Sequence, residues 1–556
     1  MGKLSRRNFL KTSALAGVGL SLGIKGEASS KITAKNSFDT IIKNGTIYTG
    51  DDKAPITGDI GISGDRIAAI GKLGDSADLI IDASGKAVSP GFIDLHTHSD
   101  NGLLDCPLAD ARLYQGVTTD IGGNCGESPF PYSDEYFASK KGTLRNGFPF
   151  WQDIDGFYDA MRKKKIAVNY KTYTGQGDLR NAVIGSNDVK ATNSDIEKMK
   201  AILDEEMHKG SLGLSCGLEY APGAYASDEE LIELCKVVAK HDGLFAIHMR
   251  NESDTVEESL AESINIARKS GVRIEISHLK AQNANNWHKA PNLLRMIEDA
   301  HRSGIDIAFD RYPYTAFSTG LSSFIPLSDR QGSTDEIVAR LRDEKLSKEI
   351  GKYAESRMER LGGPKNVMIT SVVLPENKVY LGKNVEECCK ISGLEPWPFI
   401  RKILADEKIR TQMVGFAMTE ENVKMILSHP LAMPISDSSL YSPYGSLSQS
   451  NPHPRAYGSF PRFVGKYCRD ENLMSLSEAV YKCTALPASR LKLKERGTLT
   501  PNYFADVLVF DPNTIIDKAT YSDPHQYCHG IEHVFVNGAL TLSNGKHTGK
   551  YAGMIV

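Results

Sequence analysis

Short stretches in which apolar and polar residues alternate occur near both ends of the chain. They include 40–43 and 66–70 towards the amino end, and 505–511 and 533–538 towards the carboxyl end. Turn-forming pairs such as Asn-Gly and Ser-Gly separate these stretches, which is typical of antiparallel β structure. We therefore predict one small β-sandwich domain built from residues 37–90 together with residues 495–556.

Between the two ends, short apolar stretches alternate with stretches of helical periodicity. This pattern predicts parallel strands that are connected by helices. The candidate strands are 92–98, 117–121, 167–172, 212–215, 244–248, 273–278, 305–309 and 432–436. Because these eight segments are the number that a closed (β/α)8 barrel requires, we predict an α/β fold with a TIM-like barrel over residues 91–494.

The interval between the seventh and eighth candidate strands is far longer than the roughly 2 to 6 residues of a usual barrel connection. Helical spacing of apolar residues recurs within it, at 336–342 and at 385–391. We therefore predict a subdomain inserted between strands seven and eight, at about residues 317–428.

The amino-terminal segment has the pattern of an export signal. Arg6 and Arg7 precede an apolar run at 12–24, and small residues follow at 28–30. This layout resembles a twin-arginine signal peptide, and its apolar run is shorter than the ~20 residues of a membrane-spanning helix. We expect residues 1–30 to be a signal peptide, the mature protein to have no membrane span, and its location to be the periplasm.

Composition excludes several classes of protein. At 556 residues the chain is longer than one hydrophobic core usually serves, and its 40% hydrophobic and 24% charged residues are globular proportions. The net charge is −3 and no basic stripe occurs, so we expect no nucleic-acid partner. The nine cysteines are an odd number, so at least one thiol is unpaired, and folding before export predicts few disulfides.

Two histidines close the first candidate barrel strand. Because side chains alternate along a strand, His96 and His98 point the same way, at the end where barrel enzymes carry their chemistry. Further metal-binding side chains end or follow strands two, five, six and eight: Cys125, His248, His278 and Asp437. Nitrogen and sulfur ligands suit Zn²⁺ better than Mg²⁺ or Ca²⁺, so we predict a zinc site there.

The order of several motifs resembles that of one protein family. The motifs are His-x-His at 96–98, Gly-Asn-Cys-Gly at 123–126, Ser-His-Leu-Lys at 277–280, Asp-Arg-Tyr-Pro-Tyr at 310–314, Ser-Asp at 436–437, and His-Pro-Arg at 453–455 before Gly-Ser-Phe-Pro-Arg at 458–462. Together they resemble the amidohydrolase superfamily and, within it, the N-acyl-D-amino-acid deacylases, or D-aminoacylases. The resemblance covers nearly the whole mature chain. It implies hydrolysis of the amide bond of a small N-acyl-D-amino acid.

The resemblance also implies which residues hold metal. Cys125, His248 and His278 would hold one zinc ion tightly, and His96 and His98 would complete a second, weaker position. Many superfamily relatives carry a carboxylated lysine on strand four, whereas the fourth candidate strand here has none. That difference supports a site of the cysteine type.

Asp437 is the expected general base, which would take a proton from water and deliver it to the departing amine. Arg455 matches the arginine that binds the substrate carboxylate in the family, because a guanidinium pairs well with a carboxylate. Lys280 and Tyr312 are supporting candidates for substrate binding, and Tyr314 is an alternative to Tyr312.

Two residues near strand four allow more than one interpretation. Glu219 either approaches the metals or caps a loop. The segment Gly213–Gly217 matches a Gly-x-Ser-x-Gly nucleophile motif with Ser215 at its centre, but Pro-Gly at 222–223 follows where that motif needs a helix.

Departures from the family pattern at 175–177 and around Asp437 leave the preferred substrate side chain open. A cyclic amidase, a D-specific dipeptidase on the same scaffold and a non-catalytic metal-binding protein are the alternative functions. The oligomeric state is not predicted.

Overall fold

The computed structural model describes residues 37–556, and the predicted signal peptide at 1–30 lies outside them. The strands, in chain order, are β1 (Phe38–Ile47), β2 (Ile56–Ser63), β3 (Arg66–Gly71), β4 (Ala77–Asp82), β5 (Ala87–Pro90), β6 (Phe92–Asp94), β7 (Thr97–His98), β8 (Val117–Gly122), β9 (Leu144–Arg145), β10 (Phe148–Pro149), β11 (Asn169–Thr172), β12 (Thr174–Gly175), β13 (Gly213–Gly217), β14 (Leu244–His248), β15 (Arg273–Ile276), β16 (Ile307–Arg311), β17 (Ala316–Gly320), β18 (Val367–Ser371), β19 (Gln412–Phe416), β20 (Ala432–Pro434), β21 (Ser438–Ser439), β22 (Val507–Phe510), β23 (Ile531–Val536), β24 (Ala539–Ser543) and β25 (Lys546–His547).

The α-helices are α1 (Asp100–Asp105), α2 (Asp110–Leu113), α3 (Asp134–Ser139), α4 (Ile154–Lys164), α5 (Gln176–Val183), α6 (Asn193–His208), α7 (Asp228–Lys240), α8 (Val256–Ser270), α9 (Ala290–Arg302), α10 (Thr334–Arg342), α11 (Glu344–Arg360), α12 (Val385–Ser392), α13 (Pro396–Asp406), α14 (Glu420–Leu427), α15 (Arg455–Arg462), α16 (Leu476–Cys483) and α17 (Ala485–Leu491). Reciprocal capping boxes fix where α6, α10 and α12 begin. Within residues 37–556, none of the helices has the length and apolar character needed to cross a bilayer.

The two ends of the chain meet in a single sheet of nine strands. Strand β22 from the carboxyl end pairs antiparallel with β5, and β5 pairs with β1. Buried side chains from both ends, including Ile42, Ile60, Val507 and Phe535, share one apolar core. The strands expected as a sandwich therefore form one continuous hydrogen-bonded sheet around that core.

Parallel strands form the closed barrel, and three of them are interrupted. Strands β6 and β7 are pieces of one strand, as are β11 and β12, and β20 and β21. Parallel pairing runs from β6 through β8, β11 and β12 to β20, and β21 pairs with β7 to complete the ring. The α/β barrel predicted from the sequence is confirmed.

The first and eighth strands were expected to be continuous, and the structure corrects this. The first leaves the strand pattern at Leu95 and His96, and the eighth leaves it at 435–437. The backbone N–H of Asp437 donates to the carbonyl of His96 across the seam, at 3.0 Å. This bond replaces regular pairing, so both breaks lie where the barrel closes.

The long segment between β16 and β20 is folded. Strands β17, β19 and β18 make a three-stranded antiparallel sheet, and α10 to α13 pack beside it. Phe324, Leu341 and Trp397 are buried in its core. Helix α14 packs against β20, so the barrel resumes at residue 420, before the expected end of the insertion at about 428.

Three phenylalanine rings join the terminal sheet to the barrel. Phe92 opens the first barrel strand, and its ring centroid lies 5.6 Å from that of Phe460 and 6.3 Å from that of Phe510 in β22. All three side chains are fully buried. Their packing ties the carboxyl-terminal strands to the barrel wall.

We expect Phe510→Ala to lower the free energy of unfolding by about 3–5 kcal/mol, because it removes a buried ring and leaves a cavity. The urea midpoint and the melting temperature measure the loss. Tyr551→Ala, at a side chain that is 46% exposed, is the matched control and should change little. Equal effects of the two substitutions would contradict this role for Phe510.

Candidate active site

One cavity of about 880 Å³ opens at the carboxyl ends of the barrel strands. Of the six side chains predicted at the metal site, five line it: His98, Cys125, His248, His278 and Asp437. His96 is fully buried directly behind them. The structure therefore brings the whole predicted ligand set to one place.

Cys125, His248 and His278 converge on a common point. The Cys125 Sγ lies 3.9 Å from His248 Nδ1 and 3.5 Å from His278 Nε2, and these two nitrogens are 3.0 Å apart. Zinc bonds of ~2.0–2.3 Å at tetrahedral angles place ligand atoms roughly 3.4 to 3.6 Å apart. The measured spacings of 3.0 to 3.9 Å lie on either side of these values, so the three side chains could hold one zinc ion.

Tight turns aim three of these side chains. Cys125, His278 and Asp437 have φ values of 54°, 38° and 49°, in the left-handed region that non-glycine residues rarely adopt. Each follows the end of a barrel strand or interrupts one. The backbone turns there, and the side chain points across the barrel mouth.

His96, His98 and Asp437 also lie close to Cys125, and His96, Cys125, His278 and Asp437 have ligand atoms within 4.8 Å of one another. His96 Nε2 is 3.3 Å from the Cys125 Sγ and 3.5 Å from Asp437 Oδ1, and His98 Nε2 is 3.2 Å from the same carboxylate oxygen. His96 Nδ1 contacts Asp310 Oδ2 at 3.2 Å. These residues could hold a second cation next to the first, with Cys125 shared.

Neighbouring charges overcome the effect of burial on these groups. Burial raises the pKa of the Cys125 thiol, but the positive charges of His96 and His278 lower that pKa well below its usual value. Burial lowers the pKa of His98, whereas hydrogen bonds to Asp437 and Cys125 raise it to about 10. A thiolate among imidazoles is a donor set at which a metal ion can take the place of protons.

Glu252 was not predicted from the sequence, although it is central to the site. Its buried carboxylate lies 2.9 Å from His278 Nδ1 and 2.6 Å from Lys280 Nζ. A carboxylate at Nδ1 leaves Nε2 of His278 free to bind metal. Glu252 lies four residues after His248 on an irregular segment, and only that spacing could have drawn attention to it.

Lys280 was expected to help bind the substrate, and its side chain is paired with other residues of the site. Its ammonium group is buried against Glu252 and is 2.7 Å from His278 Nδ1. It lines the cavity, but its charge is paired with a carboxylate that orients a ligand histidine.

Arg455 and Tyr312, the other two candidates for substrate binding, also line the cavity. Arg455 Nη1 donates to Asp437 Oδ2 at 2.7 Å, and its guanidinium lies 4.7 Å from the centre of the Tyr312 ring. The Tyr312 hydroxyl is buried with no hydrogen-bond partner in the described part of the chain. Tyr314, the alternative, donates instead to Asp517 at 3.1 Å.

The structure places Glu219 and Ser215, the two residues near strand four that allowed more than one interpretation. Glu219 Oε2 lies 3.2 Å from His248 Nε2, so Glu219 contacts a candidate ligand from outside. Burial raises the pKa of Glu219, but the bond to His248 and the charge of Arg357 lower it to about 2. Ser215 is fully buried within β13 and binds the Gly126 N–H, so it is not an exposed nucleophile.

Comparison with known proteins agrees with this geometry. The Amidohydrolase family matches residues 79–350 and 393–542. A D-aminoacylase from Alcaligenes xylosoxydans xylosoxydans is 34% identical over 521 residues, which are 93% of this chain and 97% of that protein.

Two solved structures have the same fold. A crystal structure of N-acyl-D-glutamate deacylase from Bordetella bronchiseptica, complexed with zinc and a phosphonate mimic of the tetrahedral intermediate, has a TM-score of 0.78 and 31% identity. A D-aminoacylase with a binuclear metal centre, described by one-metal activation and second-metal attenuation, has a TM-score of 0.78 and 34% identity. Each match covers 93% of this chain and 99% of the other.

The family match spans most of the chain, and the relatives align over nearly their full lengths. The resemblance noted in the motifs is thereby confirmed, and the chain belongs to the amidohydrolase family.

Proposed function

We propose that this protein hydrolyses the amide bond of N-acyl-D-amino acids in a zinc-dependent reaction, releasing a carboxylic acid and a D-amino acid. The observation that carries the proposal is the juxtaposition of the Cys125, His248 and His278 cluster with the ion pair of Asp437 and Arg455 in one cavity. Relatives named for this activity, one of them complexed with zinc, support it.

Zinc bound at this cluster would polarise the amide carbonyl and lower the pKa of water towards ~7. Asp437 supplies the proton transfers. Burial raises the pKa of its carboxyl, but Arg455 and the nearby histidines lower that pKa well below the usual value, so Asp437 is ionised. It can take a proton from the attacking water and deliver it to the nitrogen of the leaving amine.

Arg455 and Tyr312 would bind the free carboxylate of the substrate. The guanidinium offers further N–H groups beyond the one bound to Asp437, and the unpartnered Tyr312 hydroxyl offers one O–H. A carboxylate held beside Asp437 places the amide nitrogen within reach of the group that protonates it.

One zinc ion would be held tightly by Cys125, His248 and His278, with a second, weaker position at His96 and His98. The described one-metal activation of a related D-aminoacylase supports this order. Twin-arginine export would deliver the folded, metal-loaded protein to the periplasm, and the pattern around Arg6 and Arg7 supports that route.

A substrate panel tests the proposed function. We expect the zinc-loaded enzyme to release free D-amino acid from N-acetyl-D-amino acids at least a hundredfold faster than L-amino acid from the L-series, and chelation to abolish both. Hydantoin and a D-dipeptide in the same assay cover the alternative activities. Preferential turnover of the L-series or of hydantoin would refute the proposal.

Substitutions at Asp437 and at Cys125 should lower activity for different reasons. We expect Asp437→Asn to lower kcat by roughly a hundredfold or more while zinc remains bound, because general acid–base catalysis contributes about 10²–10⁴. Cys125→Ser should lose zinc on dialysis, as measured by elemental analysis. Cys235→Ser, at another fully buried thiol, is the matched control and should retain both zinc and activity. Full activity of Asp437→Asn would exclude it as the base.

Export can be tested in the intact chain. We expect replacement of both Arg6 and Arg7 by lysine to shift the protein from the periplasmic to the cytoplasmic fraction. Lys3→Arg, which preserves charge outside the pair, should leave the distribution unchanged. An unchanged distribution of the double variant would contradict the twin-arginine route.

A further inference from the structure

Two arginines of the inserted segment reach the wall of the cavity. Arg357 lies in α11 and Arg330 lies shortly before α10, and both line the same cavity as His248 and His278. The Arg357 side chain is only 14% exposed. Neither residue belongs to the barrel strands that carry the metal ligands.

The negative charge beside these arginines is insufficient to balance them. Glu219 Oε1 lies 3.6 Å from Arg357 Nη1, while its other oxygen faces His248 Nε2. Among residues 37–556, Arg330 Nη1 donates only to the backbone carbonyl of Glu219, at 3.0 Å. Two guanidinium groups thus lie against Glu219, whose carboxylate is already engaged by His248.

Burial makes this imbalance costly. Burial lowers the pKa of Arg330, and the positive charge of Arg357 acts in the same direction, while Glu219 opposes both. The Nε atoms of both arginines are buried without a hydrogen-bond partner in the described part of the chain. Buried cations are normally paired, so an anion from outside the chain would complete the arrangement.

Arginines therefore lie next to the candidate zinc site at two separate carboxylates. Arg455 pairs with Asp437, and Arg357 lies near Glu219, which contacts His248. A substrate with its α-carboxylate at Arg455 and its amide at the zinc cluster would extend a further substituent towards the second pair.

We propose that Arg330 and Arg357 form a subsite for a second carboxylate of the substrate, carried by the amino-acid side chain or by the acyl group. This inference rests on the proposed deacylase function and names its substrate class: N-acyl-D-amino acids that bear two carboxylates. A guanidinium pair recognises a carboxylate through charge-assisted hydrogen bonds that a neutral side chain cannot make.

The test compares kcat/KM for N-acetyl-D-glutamate, N-acetyl-D-aspartate, N-succinyl-D-leucine and N-acetyl-D-leucine. We expect at least one dicarboxylate to exceed N-acetyl-D-leucine in the unaltered enzyme. Arg330→Met and Arg357→Met should each lower that value by roughly ten- to a hundredfold, as loss of a charge-assisted bond does, and should change N-acetyl-D-leucine less than about threefold. The favoured dicarboxylate shows whether side chain or acyl group enters the subsite.

Two further variants and a binding measurement serve as controls. Arg360→Met, one turn after Arg357 on α11 and outside the cavity lining, should leave every value unchanged. If Arg357→Met is unstable, Arg357→Lys can be tested in its place. It keeps the positive charge and should retain part of the preference for the dicarboxylate substrate. Calorimetry on the zinc-loaded protein should show tighter binding of D-glutamate than of D-leucine, and weaker D-glutamate binding in both methionine variants.

Equal turnover of neutral and dicarboxylate substrates, with D-glutamate binding unchanged in the variants, would overturn the inference and leave the deacylase function standing. Absence of turnover of all four substrates would instead reject the deacylase function. The calorimetric comparison would then still decide whether Arg330 and Arg357 bind a carboxylate.

Discussion

The hydrogen bond from the Asp437 backbone N–H to the His96 carbonyl is the contact on which the site depends. It joins the first and last barrel strands at the point where both have left regular pairing. The same contact therefore closes the barrel and places the candidate ligand His96 beside the candidate base Asp437. A fully regular seam would keep both backbones extended, and the Asp437 carboxylate would lose the left-handed turn that aims it.

The need to pair buried charged groups is the second constraint on the site. Basic side chains from the barrel strands and their turns contact carboxylates: His96 contacts Asp310, His278 and Lys280 contact Glu252, and Arg455 contacts Asp437. Asp310 also accepts the backbone N–H of His278, so one carboxylate orients groups from two strands. Such pairs stabilise little on their own, but removing one partner leaves an uncompensated buried charge. They hold the ligand side chains in one geometry without help from the solvent.

Much of the site could be predicted because the relevant residues lie at strand ends. An apolar run followed by His or Cys shows both the strand and the end at which chemistry collects, which is why Cys125, His248 and His278 were found. Glu252 was missed, and Asp310 was noted only within a motif and given no role, because their partners come from other strands and a lone carboxylate has no periodicity that reveals its neighbours. The strand breaks at His96 and Asp437 were missed for a related reason, since they arise from pairing between residues more than three hundred positions apart.

The residues around the cavity come from two parts of the chain, the barrel and the insertion. Cys125, His248, His278 and Asp437 come from barrel strands or their immediate turns, whereas Arg330 and Arg357 come from the insertion. Because the barrel strands pair with one another around a closed ring, a change in any ligand-bearing turn is resisted by its neighbours. The insertion has a sheet of its own and meets the cavity through side chains. If the proposed function holds, substitutions there would alter which substituents the cavity accepts, while the candidate metal ligands and Asp437 keep their geometry.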